Sequence, residues 1–198
     1  AGLGANLDST GSPAGSFDGV LDEARIWNFA RSASQIRADL NAELTSGTGL
    51  VARWGLDDGS GTSVADSVGS ATGTIVGAGS SWVASAPFDI AACANLDNAM
   101  LRFDGTNDYV TFGDAAELKL ANFTVETWFN RTATGTSNTT GGGGITVVPL
   151  VSKGAAEAEN SNVDANYILG INTSGNVIAA DFEEGAAGAS PGLNHPIS

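Results

Sequence analysis

Residues 100–113 read MLRFDGTNDYVTFG, two short runs of strand-forming residues on either side of Asp104-Gly105. An Asp-Gly pair between such runs is a strong local mark of an antiparallel hairpin, because the turn needs positive φ, which Gly and Asp tolerate. The same grammar extends outward in both directions. ANFTVETWFN (121–130) alternates, with Phe123, Val125, Thr127 and Phe129 opposite Thr124, Glu126 and Trp128, the period of two expected of a strand. Beyond it, ITVVPLVSKG (145–154), NYILGINTSG (166–175) and NVIAADFEE (176–184) give three more strands, the last two joined by a turn at Thr173-Ser174-Gly175. TATGTSNTTGGGG (132–144) is too rich in Gly and small polar residues to bury surface and is expected to be a flexible loop.

Upstream, GLVARWGLDD (49–58) reads as a strand ending in an acidic turn, Thr74–Val76 as a short strand, and SSWVASAPF (80–88) as an edge strand carrying Trp82. FDGVLDEARIWNF (17–29) has apolar bulk on both faces, as a strand inside a sandwich requires. Strict alternation there points the adjacent Asp22 and Glu23 to opposite faces. In RSASQIRADL (31–40), Ser32 and Gln35 have capping-box spacing and Ile36 and Leu40 lie four apart, so a short helix is expected over Ala33–Asn41. The expected class is all-β, an antiparallel β-sandwich with one short helix.

Composition narrows function. Hydrophobic residues form 42% of the 198, enough for a full core, and the 27 glycines suit many tight turns. The net charge of −14 repels phosphate backbones and disfavours nucleic acid. It suits a holder of divalent cations, or serves only solubility. Cys93 is the single cysteine, so no internal disulfide forms and an inert thiol is expected. No apolar run approaches the roughly 20 residues of a membrane span, and the first residues are not a signal peptide. His195 is the lone histidine, which leaves no Ser-His-Asp set. Asp181 and Glu183 are the nearest approach to a glycosidase carboxylate pair, and Glu126 stands alone in its strand. The chain is therefore expected to be non-catalytic.

Calcium takes six to eight oxygen ligands, usually from acidic, Gly-rich turns. Such turns hold Asp57 and Asp58 (LDDGSG), Asp66 (ADSVG), and Asp104, Asn107 and Asp108 (FDGTNDY). The alternative is that these side chains only organise turns through hydrogen bonds to backbone N–H groups. Trp82, beside Ser80 and Ser81, is the best exposed aromatic for stacking on a sugar, while Trp54, Trp128, Tyr109 and Tyr167 have apolar neighbours and read as core.

Three blocks in combination resemble the laminin-G-like family of concanavalin A-like jelly rolls, as found in bacterial tandem repeats. RWGLDDGSGTSVADSVGS (53–70) is similar to its opening strand and acidic turn. LRFDGTNDYVTFGDAAELKLANFTVETWF (101–129), with LVSKG and NYILGI after it, is similar to its middle. FDGVLDEARIWNFARSASQI (17–36) is similar to its closing strand and terminal helix. The closing block comes first, and the family's Trp-His-His strand pair and Val-Asp-Gly turn are absent. Residues 1–44 are thus expected to end one unit, 45–48 to link, and 49–198 to begin the next. Segment 1–44 then belongs to a fragment of an array, or completes a sheet in its own chain or a neighbour's. The resemblance implies an extracellular or cell-surface adhesion or scaffolding module that binds glycan or protein ligands, or neighbouring copies head to tail. A carbohydrate-binding module of a secreted enzyme is the alternative, and a glycoside hydrolase a weaker one. It also implies a structural calcium linking the opening turn to the closing strand, which adds Asp22 to the candidate ligands.

Overall fold

A computed structural model describes residues 1–8, 10–84, 99–141, 144–154, 166–184, 193–194 and 197. Cys93 and His195 lie outside the described residues, as does the side chain of Glu183. The chain opens with β1 (Gly2–Leu3), β2 (Asn6–Leu7), β3 (Pro13–Ala14) and the long β4 (Asp18–Trp27), followed by α1 (Ala33–Ala38). Then come β5 (Leu50–Trp54), β6 (Ser63–Val64), β7 (Gly73–Val76), β8 (Ser81–Ala84), β9 (Ala99–Asp104) and β10 (Tyr109–Thr111). The second half holds β11 (Thr124–Arg131), β12 (Asn138–Thr139), β13 (Thr146–Lys153), β14 (Tyr167–Asn172) and β15 (Val177–Asp181).

The architecture is an all-β sandwich of two main antiparallel sheets, with β2 and β3 forming a separate two-stranded pair and Glu183–Glu184 pairing with Leu193–Asn194 in another. One main sheet runs β15-β14-β13-β1-β10-β7-β6 with β12 alongside β13; the other runs β11-β4-β9-β8 with β5 also on β4. Leu21, Ala24, Ile26, Trp54, Leu101 and Phe103 from the second sheet meet Leu3, Val110, Val148, Leu150 and Ile171 from the first in one core. No helix among the described residues is long and apolar enough to cross a membrane.

Residues 1–27 occupy interior positions of both sheets. β1 lies between β13 and β10. One side of β4 pairs with β11 from Gly19↔Arg131 to Trp27↔Thr124. Its other side is shared, Asp18–Leu21 pairing with β9 and Ala24–Trp27 with β5. All these ladders are made within one chain, so the first segment pairs with strands drawn from residues 50–153.

Three local expectations change. The strands flanking Asp104-Gly105 form, but they are not a hairpin. β9 joins β4 and β8, whereas β10 joins β1 and β7, so the turn carries the chain from one sheet to the other. Asp108 fixes that corner: Oδ2 accepts from Asp104 N (3.2 Å) and Oδ1 from Gly79 N (2.9 Å). Next, the capping box of Ser32 and Gln35 is present, but α1 ends at Ala38, three residues before the expected Asn41. The carbonyls of Asp39 and Ala42 instead accept from Arg25, which draws the chain off the helical path. Finally, the 132–144 segment is anchored in part, because Ser16 and Thr136 exchange backbone hydrogen bonds (2.8 Å each) and β12 pairs with β13.

Trp54 is the largest fully buried side chain. It stacks on Phe112 at 3.9 Å between centroids, and its Nε1 donates to the Ala71 carbonyl at 2.7 Å. Trp54→Ala should therefore cost about 3–5 kcal/mol, read as a lowered urea midpoint at unchanged slope. A shift worth less than about 1 kcal/mol would place this ring outside the rigid core.

Candidate functional site

The site begins with a bulge. Trp128 lies opposite Asp22 and Glu126 opposite Arg25, which leaves Glu23 and Ala24 facing Thr127 alone. Glu23 adopts φ +48°, a conformation costly for a non-glycine residue. The extra residue breaks strict alternation and brings Asp22 and Glu23 into one charge cluster, rather than onto opposite faces. It leaves Leu21, Ala24 and Ile26 in the core.

Glu23 is the hub of that cluster. Its Oε2 accepts from Arg25 Nε (2.9 Å), Arg25 Nη2 (2.7 Å) and Arg53 Nε (3.0 Å), and its Oε1 accepts from Arg53 Nη2. Arg53 also lies 3.7 Å from Asp57 and 3.9 Å from Glu43. Asp22, Glu23, Arg25 and Arg53 are all buried. The guanidiniums are committed mainly to Glu23, and Asp22 receives only the Glu23 N–H on Oδ1, at 2.8 Å.

Two carboxylate oxygens, Asp22 Oδ2 and Asp57 Oδ1, have no hydrogen-bond partner, although the Asp57 side chain is about a third exposed and its carboxyl is also held by the Ala99 N–H. Burial, then the charges of Glu23 and Asp57, push the Asp22 carboxyl up to about 8. Burial, then Glu43, push Asp57 up to about 6. A buried anionic oxygen without a donor demands a proton or a cation. An oxygen-only pair suits a hard cation such as calcium. Among the described residues no three His, Cys, Asp or Glu side chains are grouped to hold a metal. A cation here would use Asp22 and Asp57 and fill its shell with oxygens of other kinds.

The other acidic candidates sit in turns. Asp66 Oδ1 accepts from the backbone N–H of Arg53, Val68 and Gly69 (2.9–3.1 Å), and Oδ2 from Ala71 N (3.1 Å). Asp58 accepts from Ala65 N at 3.2 Å, and Asp104 Oδ1 from Thr106 N at 2.9 Å. Asp104 and Asp108 come together beside Gly79, and Asn107 lies in the same turn, its carbonyl near Gly77. The seven candidates thus divide between separate places, Asp104 with Asp108 at one corner and Asp22 with Asp57 in the charged cluster. Trp82 lies half-buried on the outer strand β8, its Nε1 donating to the Gly61 carbonyl at 2.9 Å.

No family model, curated protein or solved structure matches this chain.

What sequence reasoning missed was the hub. Its trace was visible as Glu23 and Arg25 two apart in an apolar strand, with Arg53 inside LVARW. Charges placed where burial is expected need one another.

A second feature follows the outer edge of the same sheet. Among the described residues no strand lies beyond β11. A cleft of about 450 Å³ wraps this edge. Ile36, Leu40, Trp128, Phe129, Leu169 and Ile178 line it together with the charged Glu23, Arg25 and Glu126. Leu40, Phe129 and Ile178 are all more than a third exposed.

Proposed function

We propose that the chain is a non-catalytic, cation-braced sandwich of the laminin-G-like kind, serving outside the cell as an adhesion or scaffolding module. The observation that carries this reading is the pair of orphaned carboxylate oxygens on Asp22 and Asp57. One lies on the central strand β4 and the other in the segment after β5, so a cation held by both would join the two. The Asp22 carboxyl is buried, whereas Asp57 is about a third exposed. Contact with partners falls to the surface. Glycan or protein ligands and neighbouring copies are the candidate partners, and the half-exposed Trp82 on its edge strand favours a carbohydrate-binding module as the second reading.

Thermal unfolding against pH, in EDTA and in calcium, tests the brace. Asp22 and Asp57 hold their protons more tightly folded (about 8 and about 6) than at the ordinary carboxyl value of 3.8. Their favourable contribution is thus full below about pH 4 and is lost as pH rises toward about 8. In EDTA the melting temperature should fall over that window. At pH 8, calcium at about 100 times its dissociation constant should restore about 5–10 °C, from roughly 2.7 kcal/mol of mass action. At pH 5 it should restore far less, because Asp22 is protonated. Asp22→Asn should flatten the pH response and remove the calcium response. A melt indifferent to calcium at pH 8 would reduce the pocket to a proton site and sink the cation brace.

A further inference from the structure

We infer that the cleft between α1 and segment 44–48 is a binding site for a neutral, hydroxyl-rich ligand the size of a single sugar ring. The site rests on the reading as a non-catalytic binding module and gives that module a ligand class, independently of calcium. The cleft, of about 340 Å³, lies at the Trp27 end of β4, and the residues that line it are all described. Its volume falls within the range of roughly 300–1,000 Å³ usual for small-molecule sites.

Two N–H groups decide the chemistry. Of the four tryptophans, Trp54, Trp82 and Trp128 donate their Nε1–H to the carbonyls of Ala71, Gly61 and Leu40 at 2.7–3.1 Å. The Nε1–H of Trp27, a side chain only 4% exposed, finds no acceptor among the described residues. Nor does the Nε–H of Arg31, whose side chain is 3% exposed and whose guanidinium carbon lies 3.9 Å from the centroid of the Trp27 ring. Both residues line the cleft. A buried donor without an acceptor carries its full desolvation cost, so two on stacked neighbours ask for an occupant that brings oxygens.

Charge and the cleft wall then select the class. The Arg31 guanidinium already meets Glu126 at 2.7 Å and Asp39, so acceptors are wanted but an anion is not. The Asp39 carboxylate on the wall would repel one. An apolar ligand would leave both donors unpaired. Hydroxyl oxygens accept and also donate, and Gln35, Asp39, Ser46 and Thr48 on the wall can bond the hydroxyls that the two donors leave over. Phe29 adds an aromatic surface for the C–H face of a ring. Neither buried nitrogen is open to bulk water, so the ligand reaches them as segment 44–48 gives way. Gly47 suits that movement. It lies against the Trp27 ring, where an added Cβ would stand 3.2 Å from Cη2 and Cζ3, and it has no side chain to lift out.

Heteronuclear NMR of the four indole N–H groups tests the site, with the methyl glycosides of glucose, galactose, mannose and N-acetylglucosamine as probes. At least one glycoside should move the Trp27 signal saturably downfield, in EDTA and in calcium alike, while the Trp54 signal stays in place. Trp27→Phe keeps the ring but removes the donor and should weaken binding about tenfold. If that variant does not fold, Ala38→Trp, at an exposed helix position on the cleft wall, should fill the cleft and abolish binding. No shift with any of the four, unchanged affinity in the folded variant, or glucuronate binding as tightly as the glucoside overturns the proposal. A glycoside that moves the Trp82 signal and not that of Trp27 also overturns it, because the glycan contact is then Trp82. A calcium-insensitive melt with the Trp27 response intact would remove the brace and leave this site standing.

Discussion

A chain beginning at residue 45 is expected to show no cooperative unfolding transition. It would lack β1 and β4, and with them Leu3, Phe17, Leu21 and Ile26, each 1% exposed or less. At about 1.5–3 kcal/mol for each large apolar side chain, the loss is about 6–12 kcal/mol, comparable with the whole stability of a typical domain. Pairing fails as well, since among the described residues β4 is the only strand on which β11 and β5 form ladders. Urea titration followed by near-ultraviolet circular dichroism would show a flat baseline for the truncated chain. Adding residues 1–44 as a separate peptide should restore a transition whose midpoint rises with peptide concentration. A cooperative melt of the truncated chain alone would mean that β4 is dispensable and its central position wrong.

The strands themselves were legible because alternation is local. Val125, Thr127 and Phe129, or Tyr167 through Asn172, announce a strand without reference to any partner. Ser32 and Gln35 likewise announced a helix start, since a capping box closes within four residues. Partnership was not legible. MLRFDGTNDYVTFG carries the chemistry of a hairpin, yet β9 and β10 have better partners in β4 and β1, and those lie about a hundred residues upstream. The bulge at Asp22 and Glu23 was hidden for the same reason, because the register that creates it is set by Thr127 on another strand. Of the candidate ligands, Asp57 was drawn from an acidic turn like the others, and Asp22 entered only through a resemblance. Nothing local distinguishes them from Asp58 or Asp66, whose carboxylates accept backbone N–H groups in turns. Asp22 differs by burial and Asp57 by the charged neighbours Arg53 and Glu43, both of which the fold decides.

Glu23→Ala is expected to be the most damaging single substitution in the charged cluster. It leaves Arg25 and Arg53 buried without the carboxylate they share, and breaking one partner out of a buried ion pair costs about 3–5 kcal/mol. Arg25 also anchors the Asp39 and Ala42 carbonyls, so the damage should spread to the segment after α1. Equilibrium urea unfolding would measure the drop, and proteolysis between residues 39 and 49 would report the loosened segment. Replacing Glu23, Arg25 and Arg53 together with apolar residues of similar volume should cost far less, because no charge is then stranded. If Glu23→Ala proves as mild as the triple replacement, the guanidiniums have reached water and the cluster is not sealed.

The position of β4 also bears on how the protein is made. Residue 27 leaves the ribosome long before residue 131, the last residue of the strand that pairs with β4 along nearly its whole length. At about 5–20 residues per second, roughly 5–20 s of synthesis separate them. For that interval β5 and later β9 can pair with one side of β4 while its β11 side has no native partner, which makes the nascent segment a natural client for chaperones and a point of vulnerability to misassembly on crowded polysomes. Slowing translation should widen that window, and moving β4 to the other end of the chain by circular permutation should close it.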